Sequence, residues 1–266
     1  MNLEEKVRKS KEVIREAYRR FPHERIALAW TGGKDSTLVL WLTLEVCKEK
    51  GFTPPKAMFI NEGDVFPETL AFVKKWAKKW GVKVDFVQND NVLKQVKRIG
   101  GLVYVGKLND RNKLALKRLG FKEKSFPFEP ESLVGNHLMK TVVMNSYLEK
   151  SGAAALITGI RWDEQEARAN ETYFSPRSAI DGPKHMRVHP ILHFKEKDVW
   201  EATHKHKIPY VELYEDGYRS LGAKVTTIKP SDKPAWEQDL DHTTERVGRQ
   251  QDKEQIMKRL RALGYM

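Results

Sequence analysis

Short apolar runs alternate with longer, helix-periodic segments in the first third of the chain. The runs at 25–30, 56–60 and 82–87 have the length and composition of buried strands. The segments before and between them are apolar on one side or almost all round, as expected for helices that pack on a sheet. Gly51 and Gly81 predict the ends of two of these helices. Strands that alternate with helices predict an α/β fold with an open, mostly parallel sheet.

The same pattern continues in the second half of the chain after a less regular stretch. Residues 88–130 combine a helix-like piece, an apolar stretch and a basic segment, and we interpret them as an insertion whose role stays open. A helical segment follows at 132–150, and apolar runs at 153–159 and 187–192, joined by a polar loop, predict two more strands. We therefore predict a Rossmann-like, open, parallel, five-stranded sheet with helices on both faces.

The last part of the chain has few signals of regular structure. Residues 206–266 look irregular, apart from a helix predicted at 252–263. We expect residues 1–205, with the insertion, to form the main domain and residues 206–266 to form a C-terminal extension.

Composition and charge narrow the class of protein. No stretch approaches the roughly 18 apolar residues of a membrane helix, and the charged N-terminus does not resemble a signal peptide, so we expect a cytoplasmic protein without a membrane partner. The single cysteine, Cys47, excludes an internal disulfide, a cysteine-based zinc site and a four-cysteine iron–sulfur cluster. The net charge of +12 is spread along the chain, which suits a small anionic substrate better than nucleic acid.

The strongest chemical signal is a glycine-rich segment between the first predicted strand and its helix. It consists of Thr31, Gly32, Gly33, Lys34, Asp35 and Ser36. Two glycines allow a sharp turn that brings backbone N–H groups close to an oxyanion. The helix that follows directs its unpaired N–H groups and its positive end to the same point. The segment therefore predicts a phosphate-binding loop, although it lacks the GxxxxGK[ST] pattern of the mononucleotide P-loop.

This loop is similar to the SGGKDS pyrophosphate loop of the N-type ATP pyrophosphatases, with Thr31 in place of the usual serine. The resemblance implies an adenine nucleotide alpha hydrolase-like fold and an enzyme that uses ATP and Mg²⁺. Such enzymes cleave ATP between its α and β phosphates, and they transfer AMP or bind adenylylated substrates. It also implies that the six loop residues bind nucleotide and that Lys34 is catalytic. We expect Lys34→Ala to abolish turnover with little loss of fold.

The segment after the second predicted strand extends the resemblance. Residues 61–69, NEGDVFPET, resemble a segment shared by PAPS reductases, the small subunit of bacterial sulfate adenylyltransferase and FAD synthetases. The resemblance implies that the backbone at Asn61 reads the adenine edge and that Gly63 lets the chain pass close to the nucleotide. Glu68, at the start of the next predicted helix, is a further nucleotide-binding candidate.

Two arginines follow the fourth predicted strand. Residues 158–168, TGIRWDEQEAR, look like the GxRxDExxxR segment of the sulfate adenylyltransferase small subunit. The resemblance implies that Gly159 lies close to the α phosphate and that Arg161 also binds the nucleotide. Arg161 and Arg168 are catalytic candidates that would stabilise charge on the phosphates or on an incoming oxyanion. Asp163 is a candidate ligand for Mg²⁺.

Three histidines surround the fifth predicted strand, at His185, His189 and His193. A four-residue spacing suits a metal pair only on a helix, and Pro190 argues against a helix there. We interpret these histidines as structural or as residues at the edge of the substrate site.

The C-terminal extension decides between branches of the family. PAPS reductases need a nucleophilic cysteine near the C-terminus, and the equivalent stretch at 217–227, GYRSLGAKVTT, has none, which argues against thiol-dependent sulfonucleotide reduction. The end of the chain resembles the sulfate adenylyltransferase small subunit. That resemblance implies an extension that closes over the active site, with Arg219, Arg246 and Arg249 at the substrate anion.

The leading hypothesis is an adenylyltransferase in which sulfate and ATP give adenosine phosphosulfate (APS) and pyrophosphate. The resemblance implies a GTPase large subunit as the partner that drives this uphill reaction, and a homo-oligomer stays open. One alternative is the FAD synthetase-like transfer of AMP to FMN. Another is a nucleotide-binding or RNA-modifying protein of the same family that lacks the reductase cysteine.

Overall fold

The structure is a computed structural model that describes residues 1–164, 168–178, 182–243 and 245. The strands of this part of the chain are β1 (Ile26–Ala29), β2 (Lys56–Asn61), β3 (Val84–Gln88), β4 (Leu102–Tyr104), β5 (Ser125–Pro127), β6 (Ala155–Ile157), β7 (Phe174–Arg177) and β8 (His185–Val188). Six of them form a central sheet in the order β3-β2-β1-β6-β8-β7. Its strand pairs are parallel, except that β7 runs antiparallel to β8.

The central sheet contains the five predicted strands, with the fifth at His185–Val188 rather than at 187–192, and adds a sixth. β7 lies in the stretch that we interpreted as a polar loop, so the five-stranded prediction was one strand short. The sequence of β7 lacks the apolar alternation of a half-buried strand, and Pro176 has no N–H group to donate. The edge of a sheet tolerates such a residue, because one side of an edge strand has no neighbouring strand to bond.

Helices cover both faces of the central sheet. They are α1 (Leu3–Arg20), α2 (Lys34–Lys50), α3 (Pro67–Trp80), α4 (Asp90–Leu93), α5 (Asp110–Arg118), α6 (Leu133–Asn136), α7 (Val142–Ser151) and α8 (Glu196–Lys205). On β1, Ile26 and Leu28 join the main hydrophobic core with side chains of α1, α2, α3 and α8. The residue between them, Ala27, packs instead with Leu148 of α7. This alternation along the strand gives the sheet two buried faces.

Local sequence signals set the ends of the helices. Asn2 and Glu5 form a capping box at the start of α1, in which each backbone N–H donates to the other side chain at 2.9 Å. Pro67 occupies the first turn of α3, where its missing N–H costs no hydrogen bond. α2 and α3 end as predicted at Gly51 and Gly81, which have φ angles of 67° and 64°.

Residues 88–130, which we interpreted as an insertion, form a hydrophobic cluster with the segment that follows them. β4 and β5 pair as a two-stranded antiparallel sheet, and Val103 and Phe126 from this sheet pack with Leu116 of α5, which lies between the two strands in sequence. The cluster also includes side chains of a π-helical segment, His137–Thr141, that links α6 to α7. The insertion therefore packs against α7, the helix that covers the second face of the central sheet.

The C-terminal residues that the structure describes share the main core. Residues 206–243 contain short 3₁₀ turns, and Ile208, Tyr214 and Ala235 pack in the same core as α1 and α2. The division into two domains therefore stays a prediction, and the helix predicted at 252–263 lies outside the described residues. No helix within the described ranges combines the length and the hydrophobicity that crossing a bilayer requires.

Candidate active site

The order of the strands creates a crevice at one edge of the central sheet. β2 pairs with β1 on one side, and β6 pairs with β1 on the other side. In open α/β sheets, ligands bind at such a switch point, beyond the carboxyl ends of the strands. A cavity of about 300 Å³ lies there, lined by residues of β1, β2, β6 and β8 and by the loops that follow them.

The predicted phosphate loop forms one wall of the cavity. Gly32 has a φ angle of 79°, and a Cβ at this position would lie 2.7 Å from a side chain of α3, so both the backbone conformation and the packing require glycine. The hydroxyl group of Ser36 donates to the Gly33 carbonyl at 3.0 Å and accepts from the Thr31 N–H at 3.2 Å. α2 begins at Lys34, so its N-terminal turn lies along the cavity.

Lys34 is buried in that turn, with carboxylates around its ammonium group. Nζ donates to Oε1 of Glu245 at 2.6 Å and to the carbonyl of Arg219 at 3.0 Å. It also lies 3.6 Å from a carboxylate oxygen of Asp35 and 3.7 Å from one of Glu196. Burial by itself would lower the pKa of Lys34, but these carboxylates raise it above its ordinary value. Lys34 therefore stays protonated and ties the phosphate loop to the C-terminal extension.

Arg161 is a second, fully buried cation beside the loop. Its guanidinium group donates to Asp35, to Oδ1 of Asp163 at 2.8 Å and to Oε2 of Glu245 at 2.6 Å. Its backbone N–H donates to Oε1 of Glu164 at 2.9 Å. Burial by itself would lower the pKa of Arg161, but the surrounding carboxylates raise it. Arg161 thus joins the phosphate loop, the turn after β6 and the C-terminal extension through protein carboxylates.

Glu245 connects these two cations, and sequence analysis missed it. One of its carboxylate oxygens accepts from Lys34 and the other accepts from Arg161. Burial by itself would raise the pKa of Glu245, but the two cations hold it well below its ordinary value. A carboxylate therefore occupies the space between two residues that we assigned to the nucleotide phosphates. Glu245 lies in a part of the sequence with few signals of regular structure, so no hydrophobic periodicity marks it as a buried residue.

Asp163 caps a helix in this structure. Its Oδ1 accepts from Arg161, and its Oδ2 accepts at 2.9 Å from the backbone N–H of Glu196, the first residue of α8. No cluster of three or more His, Cys, Asp or Glu residues in the described ranges has the arrangement of a metal site. Both carboxylate oxygens of Asp163 accept from protein N–H groups in this structure, and Mg²⁺ at Asp163 stays a prediction.

Three further cations line the cavity: Lys140, Arg168 and Arg187. Of these, only Arg168 was predicted from the sequence. Arg168 pairs with Glu164, and Lys140 of the π-helical segment lies 2.9 Å from Glu62. Arg187, on β8, is buried and also belongs to the lining. A single arginine within a short strand carries little signal, because the strand pattern does not reveal whether that face meets a core or a cavity.

The amino-acid sequence matches the model of one protein family over more than half of its length. Residues 25–104 and 102–229 match the phosphoadenosine phosphosulfate reductase domain. The chain belongs to this family. The match includes the phosphate loop and the strands that line the cavity, and it confirms the family indicated by the loop sequence.

Relatives of this family member carry the names of two adenylyltransferases. A probable FAD synthase of Caenorhabditis elegans is 28% identical over 85% of this chain, which corresponds to 34% of its own length. Sulfate adenylyltransferase subunit 2 of Rhizobium meliloti is 28% identical over 76% of this chain and 64% of its own length. The chain therefore spans about a third of the first relative and less than two thirds of the second.

Solved structures of related proteins share the fold. Candida glabrata FMN adenylyltransferase, in complex with FMN and the ATP analog AMPCPP, has a TM-score of 0.61 at 17% identity, over 85% of this chain and 65% of its own. Phosphoadenylyl-sulfate (PAPS) reductase from Candida auris, a phosphate complex, has a TM-score of 0.57 at 19% identity, over 83% of this chain and 90% of its own. These similarities confirm the Rossmann-like α/β fold.

The cavity brings together part of the predicted nucleotide-binding set. Gly159, just after β6, meets the phosphate loop, because a Cβ there would lie 2.9 Å from backbone atoms of Asp35 and Ser36. Close packing of two backbones therefore requires glycine at this position. The predicted residues that line the cavity are Thr31, Gly33, Lys34, Asp35, Ser36, Gly159 and Arg168.

The predicted residues after β2 have other neighbours in this structure. The side chain of Asn61 donates to Gln88 at 2.6 Å. A Cβ at Gly63 would collide with side chains of the insertion, so packing against the insertion accounts for this glycine. Glu68 is exposed in the first turn of α3. The cavity lining after β2 instead includes Glu62 and the two residues that follow Gly63.

Arg219 is buried outside the cavity lining, where it anchors the C-terminal extension. Its guanidinium group donates to Oε2 of Glu196 at 2.9 Å and to the carbonyl of Thr243 at 2.9 Å. The structure therefore does not bring Arg219 to the place predicted for the substrate anion. Arg246 and Arg249 lie outside the described residues.

The three histidines near β8 have separate surroundings. His185 and His193 form hydrogen bonds with backbone carbonyls at 2.9 Å and 3.0 Å, as structural residues do. His189 instead contacts Thr158, a residue of the cavity lining, at 2.7 Å.

Proposed function

We propose that this chain is an adenylyltransferase that binds ATP in the cavity, cleaves it between the α and β phosphates and transfers AMP to an acceptor. The observation that carries the proposal is the close contact between Gly159 and the phosphate loop. A Cβ atom at position 159 would lie 2.9 Å from backbone atoms of Asp35 and Ser36. This contact sets the N-terminal turn of α2 against the carboxyl end of β6, so an anion held by the loop lies at the switch point of the sheet. The names of the two adenylyltransferase relatives support the same class of reaction.

Different parts of the cavity suit different parts of ATP. The backbone N–H groups of the phosphate loop and of the first turn of α2 would hold the departing pyrophosphate. Lys34 and Arg161 keep this loop in shape through Asp35 and Glu245. Positioning and electrostatics suffice for such a transfer, so no protein nucleophile is required. Apolar side chains that would pack on the base are Met58, Ile60, Met144 and Leu156.

Sulfate is the acceptor that we propose first. Arg168, Arg187 and Lys140 bring positive charge to the cavity lining, and guanidinium groups suit a small oxyanion. The Rhizobium meliloti relative supports this acceptor, and its designation as subunit 2 supports a partner subunit, for which we retain the predicted GTPase. The prediction of Mg²⁺ rests on the family resemblance.

FMN is the second candidate acceptor. It is supported by the probable FAD synthase of Caenorhabditis elegans and by the Candida glabrata FMN adenylyltransferase, which has the same fold.

The proposal excludes reduction by a thiol of this chain, although the fold is shared with a PAPS reductase. Cys47 is the single cysteine, and it is buried in α2 with its Sγ 3.2 Å from Oη of Tyr18. Burial raises the pKa of the Cys47 thiol, whereas a nucleophilic cysteine needs access and a thiolate.

Turnover with each acceptor tests the proposal. The purified protein is incubated with MgATP, inorganic pyrophosphatase and either sulfate or FMN, and the APS, FAD and phosphate formed are measured. We expect APS from sulfate. Formation of FAD would move the assignment to FMN, and the absence of both products would contradict adenylyl transfer to either acceptor.

A pair of glycine variants ties turnover to the cavity. Gly159→Ala should push the backbone of the phosphate loop away from β6, because overpacking there costs about 1–3 kcal/mol. The displaced loop should no longer hold the phosphates in place, and turnover should fall at least about tenfold. Gly106→Ala is the matched control, because a Cβ there meets no atom within 4 Å and its φ is not positive. Full turnover by Gly159→Ala would contradict the assignment of this cavity as the active site.

A further inference from the structure

A polar pair lies where β6 and β8 end at the cavity. These strands are parallel neighbours, and Ile157 pairs with Val188, so the next residues, Thr158 and His189, lie side by side. Oγ1 of Thr158 is 2.7 Å from Nδ1 of His189. Both residues are buried, and Thr158 belongs to the cavity lining. The hydrogen bond therefore joins Thr158, which lines the cavity, to His189, which lies behind Thr158 and outside the lining.

The charge near His189 favours one direction for this hydrogen bond. Its second nitrogen, Nε2, lies 3.7 Å from Oε2 of Glu171. Glu171 also pairs with Arg177 at 2.6 Å, as an ionised carboxylate does. A carboxylate near Nε2 favours the tautomer with its hydrogen on Nε2, which leaves Nδ1 as an acceptor. In this tautomer, the Thr158 hydroxyl donates to Nδ1 of His189.

The imidazole of His189 also stays neutral. Burial, together with the guanidinium groups of Arg187, Arg177 and Arg168, holds its pKa well below the ordinary value. A neutral ring carries a single hydrogen, so with that hydrogen on Nε2, beside Glu171, Nδ1 is an acceptor.

We propose that Thr158 determines the specificity of the cavity through the direction of its hydroxyl group, and that His189 is the positioning residue that fixes this direction. The hydroxyl hydrogen is committed to His189, so Oγ1 meets the ligand only as an acceptor. The group that fits there is a hydrogen-bond donor, and a phosphoryl group, whose oxygens only accept, is disfavoured.

The position of Thr158 identifies the part of the nucleotide that it meets. Thr158 precedes Gly159, which touches the phosphate loop. A group at Thr158 is therefore close to the phosphates, and the hydrogen-bond donors that a nucleotide carries nearest to its phosphates are the sugar hydroxyls. The cavity should select a nucleotide with free sugar hydroxyls over one with a phosphorylated sugar. This inference rests on the proposed function, since it takes the ligand to be an adenine nucleotide.

Equilibrium binding of nucleotides that are not turned over tests the inference. Calorimetry compares AMP with 2′-deoxy-AMP, 3′-deoxy-AMP and adenosine 3′,5′-bisphosphate. We expect the wild type to bind AMP about tenfold more tightly than it binds one of the two deoxy analogues. It should also bind AMP about tenfold more tightly than the bisphosphate. Each factor corresponds to the loss of one hydrogen bond to a buried acceptor. Thr158→Val should lose AMP affinity by the same factor and no longer discriminate against that analogue, whereas Thr158→Ser should behave as the wild type.

Variants of His189 separate positioning from mere packing. His189→Leu frees the Thr158 hydroxyl to donate, so the preference for AMP over the bisphosphate should shrink. His189→Asn keeps an acceptor near Oγ1 and should restore the preference.

Two outcomes would overturn the inference in distinguishable ways. If Thr158→Val binds AMP but discriminates among the analogues as the wild type does, the inference is wrong and the proposed function stands. If the wild type binds none of these nucleotides, the proposed function fails as well. Thermal unfolding of each variant verifies that it is folded.

Discussion

The ammonium group of Lys34 lies among carboxylates from three separate segments of the chain. Asp35 follows it in the phosphate loop, Glu196 begins α8, and Glu245 belongs to the C-terminal extension. Burial raises the pKa of both Asp35 and Glu196, because their charged forms are costly away from water. The positive charge of Lys34 offsets part of that cost, so it stabilises the fold as well as the phosphate loop.

Lys34→Met should therefore unfold more easily than the wild type, which revises the expectation that removal of Lys34 spares the fold. Loss of one partner in a buried ion pair costs about 3–5 kcal/mol, because the remaining charges are left without compensation. The free energy of unfolding in urea measures this loss.

Lys197→Met is the matched control for that variant. Its ion pair with Asp241 is at 2.7 Å, but both side chains are about half exposed, so its removal should leave stability unchanged. Equal stabilities of Lys34→Met and the control would show that the buried carboxylates need no cation.

At the scale of elements, the C-terminal extension is fastened to α2 and α8 by hydrogen bonds and ion pairs. Oη of Tyr214 accepts from the backbone N–H of Lys34 at 3.0 Å, at the first residue of α2. Arg219 holds Glu196 at the first residue of α8. Glu245 adds the contact with Arg161. Loss of the contact between Glu245 and Arg161 should therefore lower the free energy of unfolding of the protein.

Glu245→Gln should destabilise the protein in a pH-dependent way. The folded-state pKa of Glu245 is depressed, so its stabilisation is fully present above the ordinary value of 4.5 and is lost as the pH falls through the folded value. At neutral pH the variant should lose about 3 kcal/mol of unfolding free energy. Below pH 4.5 the difference between variant and wild type should shrink.

Urea unfolding at several pH values measures this difference. Glu237→Gln, an exposed residue of the same extension, is the control and should follow the wild type at every pH. A difference for Glu245→Gln that stays constant as the pH falls would contradict an ionic role for this residue.

The apolar pattern predicted elements well where burial on both faces dictates the sequence. β1, β2 and β6 are buried between two layers of helices, and their apolar runs were recognised as strands. β7 was missed because an edge strand with Pro176 needs neither apolar residues nor a complete set of N–H groups. The two-stranded sheet of the insertion was missed because its strands have three residues each.

At the scale of the whole molecule, the site joins residues that are far apart in sequence. The phosphate loop and the contact at Gly159 were predictable, because a glycine-rich turn after a strand has a local signature and parallel strands end at one edge. The pair of Lys34 and Glu245 spans 211 positions. No periodicity encodes such a contact, so the residues that attach the extension to the site could not be predicted from the sequence, and only the family resemblance implied that the extension closes over it.

The one thiol of the chain has a practical consequence for the study of its motions. Cys47 of α2 is covered by α1, whose Tyr18 lies against it at 3.2 Å. A thiol-specific reagent such as Ellman's reagent can therefore react only when α1 moves away from α2. We expect labelling of the native protein to be at least about 100-fold slower than labelling of the urea-unfolded chain.

Two variants calibrate that measurement. Tyr18→Ala should speed labelling because it uncovers the sulfur, whereas Tyr18→Phe keeps the ring and should change the rate far less. Labelling of the native protein as fast as that of the unfolded chain would show that α1 does not protect the thiol. Otherwise the labelling rate measures how often the N-terminal helix detaches, with no engineered probe in the protein.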